Sequence, residues 1–362
     1  TQSSRPDVPA GTEVELINGK YYVRSGDHYY GGFYKSDVQT TEDGKTVLIN
    51  DKNTYTIAYK KTKNGKNVEK DYYNGPYTHS SSALMNQDIQ DALEQYDLRF
   101  WNEEEGLSCD TWNTEFTVLD DYRGLNANMH TVEAFLAAAD VTGDEKYRVR
   151  AGRIIDHVVG WASANNWRIP EHFTKEWVAD LECNKDRPDD QFKPYGATPG
   201  HGIEWSRLIT QWALSTFKGD KEGASKYITV AENLYNRAIE DAWNADGAPG
   251  IVYTTDWNGK PVVHDRMHWT LAEAINTSAV LFHVTGNQKY ADNFAEFMQY
   301  LDEKVLDHVH GSWFHQLDAN NNLIGTVWPG KSDLYHAVQA TLIPFYTADL
   351  SIAPAVKGGK FC

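Results

Sequence analysis

Cysteine is scarce in this chain. The three residues, Cys109, Cys183 and Cys362, are far apart and odd in number. They have neither metal-type spacing nor the look of a disulfide framework, so a reducing compartment, the cytoplasm, is expected. No apolar run approaches the roughly 18 residues that span a bilayer, and no signal-peptide pattern opens the sequence. Positive charge is also in short supply. Against 51 Asp and Glu stand 34 Lys and Arg, a formal net charge of −17. That balance argues against nucleic acid or an anionic membrane surface as partner. Three motifs are missing as well. No glycine-rich phosphate loop precedes a helix, no Gly-x-Ser-x-Gly elbow occurs, and no His-Glu-x-x-His string is found. Nucleotide-dependent, serine-hydrolase and zinc-protease chemistry therefore lack their usual signatures.

What is present is a globular composition over 362 residues, 41% apolar and 23% charged. Two regions differ. Residues 1–80 hold 11 Lys/Arg and 10 Asp/Glu, a balance of +1 that leaves −18 for the rest, and they carry 10 of the 21 tyrosines. Short alternating runs such as Lys20-Tyr-Tyr-Val-Arg24 and Lys45-Thr-Val-Leu-Ile-Asn50 are separated by Asn18-Gly19, Asp43-Gly44, Asn64-Gly65 and Asn74-Gly75. This pattern predicts a β-like, Tyr-rich N-terminal segment.

Residues 81–362 read differently. Helical periodicity predicts helices near 83–101, 126–141, 145–165, 201–217, 221–243, 268–285, 288–307 and 334–350. Several come in pairs, and the joints repeat. Val141-Thr-Gly-Asp-Glu-Lys-Tyr147 and Val284-Thr-Gly-Asn-Gln-Lys-Tyr290 are nearly one string, and Phe217-Lys-Gly-Asp220 is a looser copy. Glycine at such a joint suits a left-handed helix cap. Gly143, Gly219 and Gly286 are spaced 76 and 67 residues apart, as stacked helical hairpins would be.

Histidines stand at four helix starts: His130 after Asn126, His201 before Glu204, His268 beside Trp269 with Glu273 a turn later, and His336 before Gln339. Hairpins in a ring point their inner helices the same way, so these residues are expected to converge. A helix N-terminus disfavours a protonated imidazole, and a neutral imidazole is what a general base needs. Two such rings flanking a substrate carbon can remove a proton and return it elsewhere. Other readings stay open. His268 has the strongest case for a purely structural role. His201 and Glu204, three apart on one helix, could bind a divalent ion. The carboxylates Asp120, Asp121, Glu103, Glu104 and Glu105 offer an acid/base pair for glycoside hydrolysis, though adjacent carboxylates are usually a solvated charge run.

Five strings carry a resemblance. They are Leu119-Asp-Asp-Tyr-Arg-Gly-Leu-Asn-Ala-Asn-Met-His-Thr-Val-Glu-Ala134, Trp167-Arg-Ile-Pro-Glu-His-Phe173, Pro194-Tyr-Gly-Ala-Thr-Pro-Gly-His-Gly-Ile-Glu-Trp205, Tyr253-Thr-Thr-Asp-Trp257 and the run from Trp328 through Ser332-Asp-Leu-Tyr-His336 to Pro344. In order and content they resemble the N-acylglucosamine 2-epimerase superfamily, and its cofactor-independent mannose isomerases in particular. The resemblance implies an all-α, (α/α)6-barrel toroid of helical hairpins. It implies a monosaccharide substrate, with D-mannose and D-fructose (or D-lyxose and D-xylulose) interconverted through a cis-enediol. On that basis His336 takes the C2 proton and His201, held by Glu204, is its partner in ring opening and proton transfer. Asn126 and His130 bind sugar hydroxyls, and Trp269 packs on the sugar ring. No metal and no cofactor is implied. Neighbouring activities are 2-epimerisation and sulfoquinovose isomerisation, and the reading from another class is a sugar-binding protein without turnover. Two departures stand out. The family's early helices, which supply a substrate-gripping arginine, have no matching string in residues 1–80. Lys193 stands where close relatives tend to have arginine.

Overall fold

The strand Lys20–Ser25 puts Tyr21 and Val23 on one face and Tyr22 on the other, as a period of two requires. In the computed structural model, which describes residues 7–17, 20–25, 28–53, 56–57 and 82–362, this strand is paired on both sides. Its neighbours are Glu15–Ile17 and His28–Phe33, with Thr56–Ile57 completing an antiparallel sheet of four. A second hairpin joins Val38–Thr40 to Thr46–Leu48 through Asp43-Gly44, where Gly44 has a φ of +85°. Two small clusters hold these strands. One is Val8, Val14, Phe33 and Leu48 with Tyr21, Val23 and Val38 against them; the other is Tyr22 and Tyr29 with Ile17. The turn signals at Asn18-Gly19, Asn64-Gly65 and Asn74-Gly75 lie outside the described residues.

The chain falls into two compact units, Thr1–Leu98 and Arg99–Cys362. The first helix, α1 (Ser82–Arg99), thus goes with the N-terminal unit, whereas the change of sequence pattern points to a boundary near residue 80.

The second unit is built from helical hairpins. Helix α2 (Leu125–Thr142) packs on α3 (Lys146–Ala164), α4 (Pro199–Phe217) on α5 (Lys221–Ala242), and α6 (His268–Thr285) on α7 (Gln288–Tyr300). The repeated joints end their helices as the sequence predicts. Gly143 and Gly286 cap α2 and α6 with φ of +74° and +69°. Asp220 then starts α5 by accepting from the backbone N–H groups of Glu222 and Gly223.

Helices α4 and α6 are buried around almost their whole circumference, with Trp205, Leu208 and Ile209 on one and Leu271, Ile275 and Leu281 on the other. Their buried faces also carry polar and charged side chains, Glu204 and Arg207 on α4 and Glu273 on α6, which pair with one another. Helix α6 lies between α4 and α8 (Leu334–Leu342), and the Thr277 hydroxyl donates to the carbonyl of Ile203 across the first of these contacts. Helix α8 in turn meets α2, where Tyr335 and Gln339 donate to Glu133. It stops earlier than periodicity predicts because Pro344 has no N–H to continue it, and a 3-10 turn at Ile343–Phe345 follows. A short α9 (Ile352–Lys357) is additional to the predicted set.

Helices α2, α4, α6 and α8 are each entered from a loop carrying short strands. Arg123–Gly124 pairs with His172–Phe173, and Arg266–Met267 pairs with Gln316–Leu317. Chain connectivity places these loops at the N-terminal ends of the four helices. Among the described residues no helix is long and apolar enough to cross a membrane.

Candidate active site

Those helix starts and loops enclose a cavity of about 380 Å³. All six site residues singled out in the sequence line it: Asn126, His130, His201, Glu204, Trp269 and His336. Asn126 and His130 come from the first turns of α2, His201 and Glu204 from α4, Trp269 from α6 and His336 from α8. The fourth helix-start histidine does not reach it. His268 is buried behind the wall, with Nε2 2.8 Å from Asp333 Oδ2 and Nδ1 3.4 Å from the carbonyl of His315.

Two of the rings are braced alike. His201 Nδ1 lies 2.9 Å from Glu171 Oε2, and His336 Nδ1 lies 3.2 Å from Glu273 Oε1. An ionised carboxylate only accepts; against one, Nδ1 carries the hydrogen and Nε2 is the ring nitrogen left free. The Trp269 ring contacts both, with centroids 5.1 Å from His201 and 5.7 Å from His336. His336 is fixed from its backbone too, since its N–H donates to Asp333 Oδ1, the N-cap of α8, at 2.8 Å.

Glu204 does not hold His201, contrary to the sequence-based expectation. It points down the helix axis into a buried charge cluster, 3.6 Å from Arg207. The reason is helical geometry combined with burial. Glu204 and Arg207 share one face of α4, and Arg207 also faces Glu273 of α6 and Glu133 of α2. One guanidinium thus answers three carboxylates. Burial and the charge of Glu273 push the Glu204 carboxyl well above its ordinary value and so oppose its ionisation. Burial opposes ionisation of Glu133 as well, but His130, Arg207 and Tyr335 outweigh it and hold that carboxyl at about 2. Glu273 is likewise held below the usual range, because Arg207 and His336 prevail over burial.

Sequence reasoning missed several lining residues. His172 opens the strand that pairs ahead of α2, Glu171 is the loop residue just before it, and His315, Tyr253 and Trp328 come from later loops. His315 stacks on Trp328 with centroids 5.8 Å apart, and burial together with neighbouring His268 lowers its pKa. His172 is structural. Its Nε2 donates to the carbonyl of Pro194, and its Nδ1 accepts from the Tyr122 hydroxyl at 2.8 Å. The signal for Glu171 was its place inside Trp167-Arg-Ile-Pro-Glu-His-Phe173, but no periodicity assigns a loop carboxylate to a helix-borne histidine.

Lys193 stands with its Nζ 3.6 Å from the centroid of the Tyr122 ring. Among the described residues no lysine or arginine lines the cavity, while Glu171, Glu204 and Asp333 do. The acid runs weighed for hydrolysis lie elsewhere. Glu103 pairs with Arg150 and Arg153, and neither Asp120 nor Asp121 lines the cavity. Among the described residues, two sets have donor atoms close enough for a divalent ion: His268, His315 and Asp333, and His130, Glu133 and Glu204. The pair His201 and Glu204 is not such a set, since His201 is turned to Glu171.

Residues 76–340 match the family described as N-acylglucosamine 2-epimerase. The chain is 41% identical to a D-mannose isomerase of Pseudomonas cannabina pv. alisalensis over 271 residues, 75% of this chain and 66% of the relative. It is 40% identical to a D-mannose isomerase of Thermobifida fusca over 262 residues, 72% of this chain and 62% of that one. The chain therefore spans just under two thirds of the length of these relatives. A crystal structure of a D-mannose isomerase matches with a TM-score of 0.67 at 27% identity, over 73% of this chain and 66% of that one. A cellobiose 2-epimerase from Spirochaeta thermophila DSM 6192 matches with a TM-score of 0.58 at 15% identity, over 76% and 66%; this second likeness concerns the fold alone.

Proposed function

The chain belongs to the N-acylglucosamine 2-epimerase family, and on that premise we propose that it interconverts an aldose and its ketose, D-mannose and D-fructose, without a cofactor. The observation that carries the reading is the matched pair of braced histidines. His201 and His336 line one cavity and each rest Nδ1 on a carboxylate, with Trp269 in contact with both rings. The names of the relatives support the choice of sugar.

The reaction runs through proton transfers alone. His201 assists ring opening at the anomeric oxygen. In the open-chain aldose, His336 Nε2 removes the C2 proton while the carbonyl oxygen at C1 gains a proton, giving a cis-enediol. The same ring returns the proton to C1 as the hydroxyl at C2 loses its own, and the ketose results. A carboxylate at Nδ1 stabilises the imidazolium formed at each transfer. Asn126 and His130 hold hydroxyls, and Trp269 offers an apolar ring to the sugar face.

Electrostatics narrows the substrate class. A phosphorylated or sulfonated sugar entering the cavity meets the carboxylates of Glu171 and Asp333 with no lining cation among the described residues. A neutral sugar fits better, which disfavours the sulfoquinovose reading.

The hairpins are assigned to a toroid of the (α/α)6 type, with residues 1–80 as a separate β-like segment. Support comes from the succession α2, α4, α6, α8 and its return to α2 through Glu133. Cys109, Cys183 and Cys362 are free thiols, which suits a cytoplasmic protein.

Proton NMR of D-mannose in D2O with a chelator present tests the function. Fructose carrying deuterium is the expected product. Direct appearance of glucose would mark a 2-epimerase instead. An unchanged spectrum, with binding still detectable, would mark a sugar-binding protein.

A further inference from the structure

Beneath the cavity floor, all four helices meet at one cation. Arg207 of α4 donates from Nε to Glu273 Oε2 of α6 at 2.9 Å. Its Nη2 lies 3.6 Å from Glu204 of its own helix and 3.8 Å from Glu133 of α2. Tyr335 of α8 donates to Glu133 from the remaining side. The Arg207 side chain is only 4% exposed, and Glu204 and Glu273 are 1% and 0% exposed. Two of these carboxylates turn their other side to a cavity histidine: Glu273 to His336 Nδ1 at 3.2 Å, and Glu133 to His130 Nδ1 at 3.6 Å.

Building on the reading of His336 as the proton-transfer base, we infer that Arg207 is a positioning residue that fixes the tautomer of His336 through Glu273. The argument is one of charge supply. Two buried carboxylates and a half-buried third cannot all ionise freely side by side, and here one cation serves them. Burial opposes ionisation of Glu204, and Arg207 makes its closest contact with Glu273, at 2.9 Å against 3.6 Å to Glu204. An ionised Glu273 can only accept, so the His336 hydrogen sits on Nδ1 and Nε2 carries the lone pair that a base requires. Without the guanidinium, Glu273 faces Glu204 and Glu133 unaided and takes up a proton. A protonated carboxyl donates to Nδ1, which moves the ring hydrogen to Nε2. The imidazole then presents an N–H to the substrate where a lone pair is needed.

The other titratable groups facing His336 do not set this choice. His268 of α6 is 6.0 Å away between ring centroids, and Tyr335 is its chain neighbour at 4.7 Å. His315 approaches from the preceding loop and interacts with it electrostatically. Asp333 engages the backbone N–H of His336 through Oδ1 and approaches His268 through Oδ2. Glu273 is the carboxylate on the ring itself.

The test is 15N NMR of the full chain labelled at histidine, at a pH where the rings are neutral, with His336→Asn identifying the resonance. The wild-type ring is expected to show a protonated Nδ1 and an unprotonated Nε2. In Arg207→Met the hydrogen is expected mainly on Nε2, with kcat lowered about 100-fold and KM within about threefold. Arg207→Lys, which restores a cation, is expected to recover the Nδ1–H form and most of the kcat. If Arg207→Met does not fold, Glu273→Gln removes the charge at nearly constant volume and is expected to lose the Nδ1–H preference. An unchanged tautomer in both variants overturns the proposal. So does Arg207→Lys leaving the ring as altered as Arg207→Met does. A wild-type chain that converts no sugar defeats the functional reading, and the tautomer measurement still decides this one.

Discussion

Glu171 Oε2 lies 2.9 Å from Nδ1 of His201, thirty positions along the chain. The side chain is buried, and it comes from a loop rather than from the histidine's own helix. A carboxylate in this place does two things. It fixes which ring nitrogen is free, and it stabilises the charge that appears when that nitrogen takes a proton.

Glu171→Gln is therefore expected to lower kcat by about 100-fold while KM changes by less than about threefold. Steady-state kinetics of ketose formation checks this. A change confined to KM would remove Glu171 from proton transfer and leave it a binding role.

His336→Ala is expected to abolish exchange of the C2 proton with solvent and leave the fold intact. The ring is not needed for the helix start. The Asp333 side chain caps α8 through the backbone N–H of residue 336, which alanine retains. Deuterium incorporation into D-mannose, beside an unchanged circular-dichroism melt, is the paired measurement. Exchange at the wild-type rate would take this residue out of the mechanism.

Much of the helical unit was legible in the sequence, and the reasons are physical. The joints at Gly143 and Gly286 need a left-handed residue, so composition alone marks the ends of α2 and α6. Helix-start residues were legible because a turn of helix ties them to neighbours three or four positions away. His130, His201 and His336 converge for that reason. The partner of His201 was not legible. Spacing favoured Glu204, on the same face one turn on, but burial beside Arg207 draws that side chain inward and leaves the imidazole to Glu171. Loop residues such as His315 and Trp328 reach the cavity through short strand pairings, which no period in the sequence announces.

The joint glycines make a quantitative expectation. At Gly143 and Gly286 a Cβ would meet nothing within 4 Å, so only the positive φ opposes a side chain. Alanine at either position should cost about 1 to 2 kcal/mol. Gly196 is a different case, since at a φ of +91° its Cβ would lie 2.1 Å from the carbonyl oxygen of Thr255. Gly196→Ala must open the Ala197–Thr255 bridge beside Tyr253, and should cost about 2 to 4 kcal/mol with a loss of activity. Urea melts of the three variants compare them directly. Equal costs at all three positions would mean that the close approach at Gly196 does not constrain the loop.

The buried carboxylates give the fold a pH dependence whose sign differs from residue to residue. Glu133 is held at about 2 in the fold. Its stabilising contribution is therefore present above the unfolded value near 4.5 and is lost as pH falls from there to about 2. Glu204 runs the other way. Its folded pKa is raised by burial and by Glu273, so the unfolded chain releases the proton first as pH rises past 4.5. The contribution of Glu204 is full below that value and declines above it, by up to about 1.4 kcal/mol for each pH unit until the folded group ionises. Glutamine mimics the neutral acid at every pH. Glu204→Gln is thus expected to raise Tm at pH 7 and leave it nearly unchanged at pH 4. Thermal melts at the two pH values decide it. A Tm that falls equally at both would mean that Glu204 is an ionised partner of Arg207, and that the single guanidinium sustains three charges.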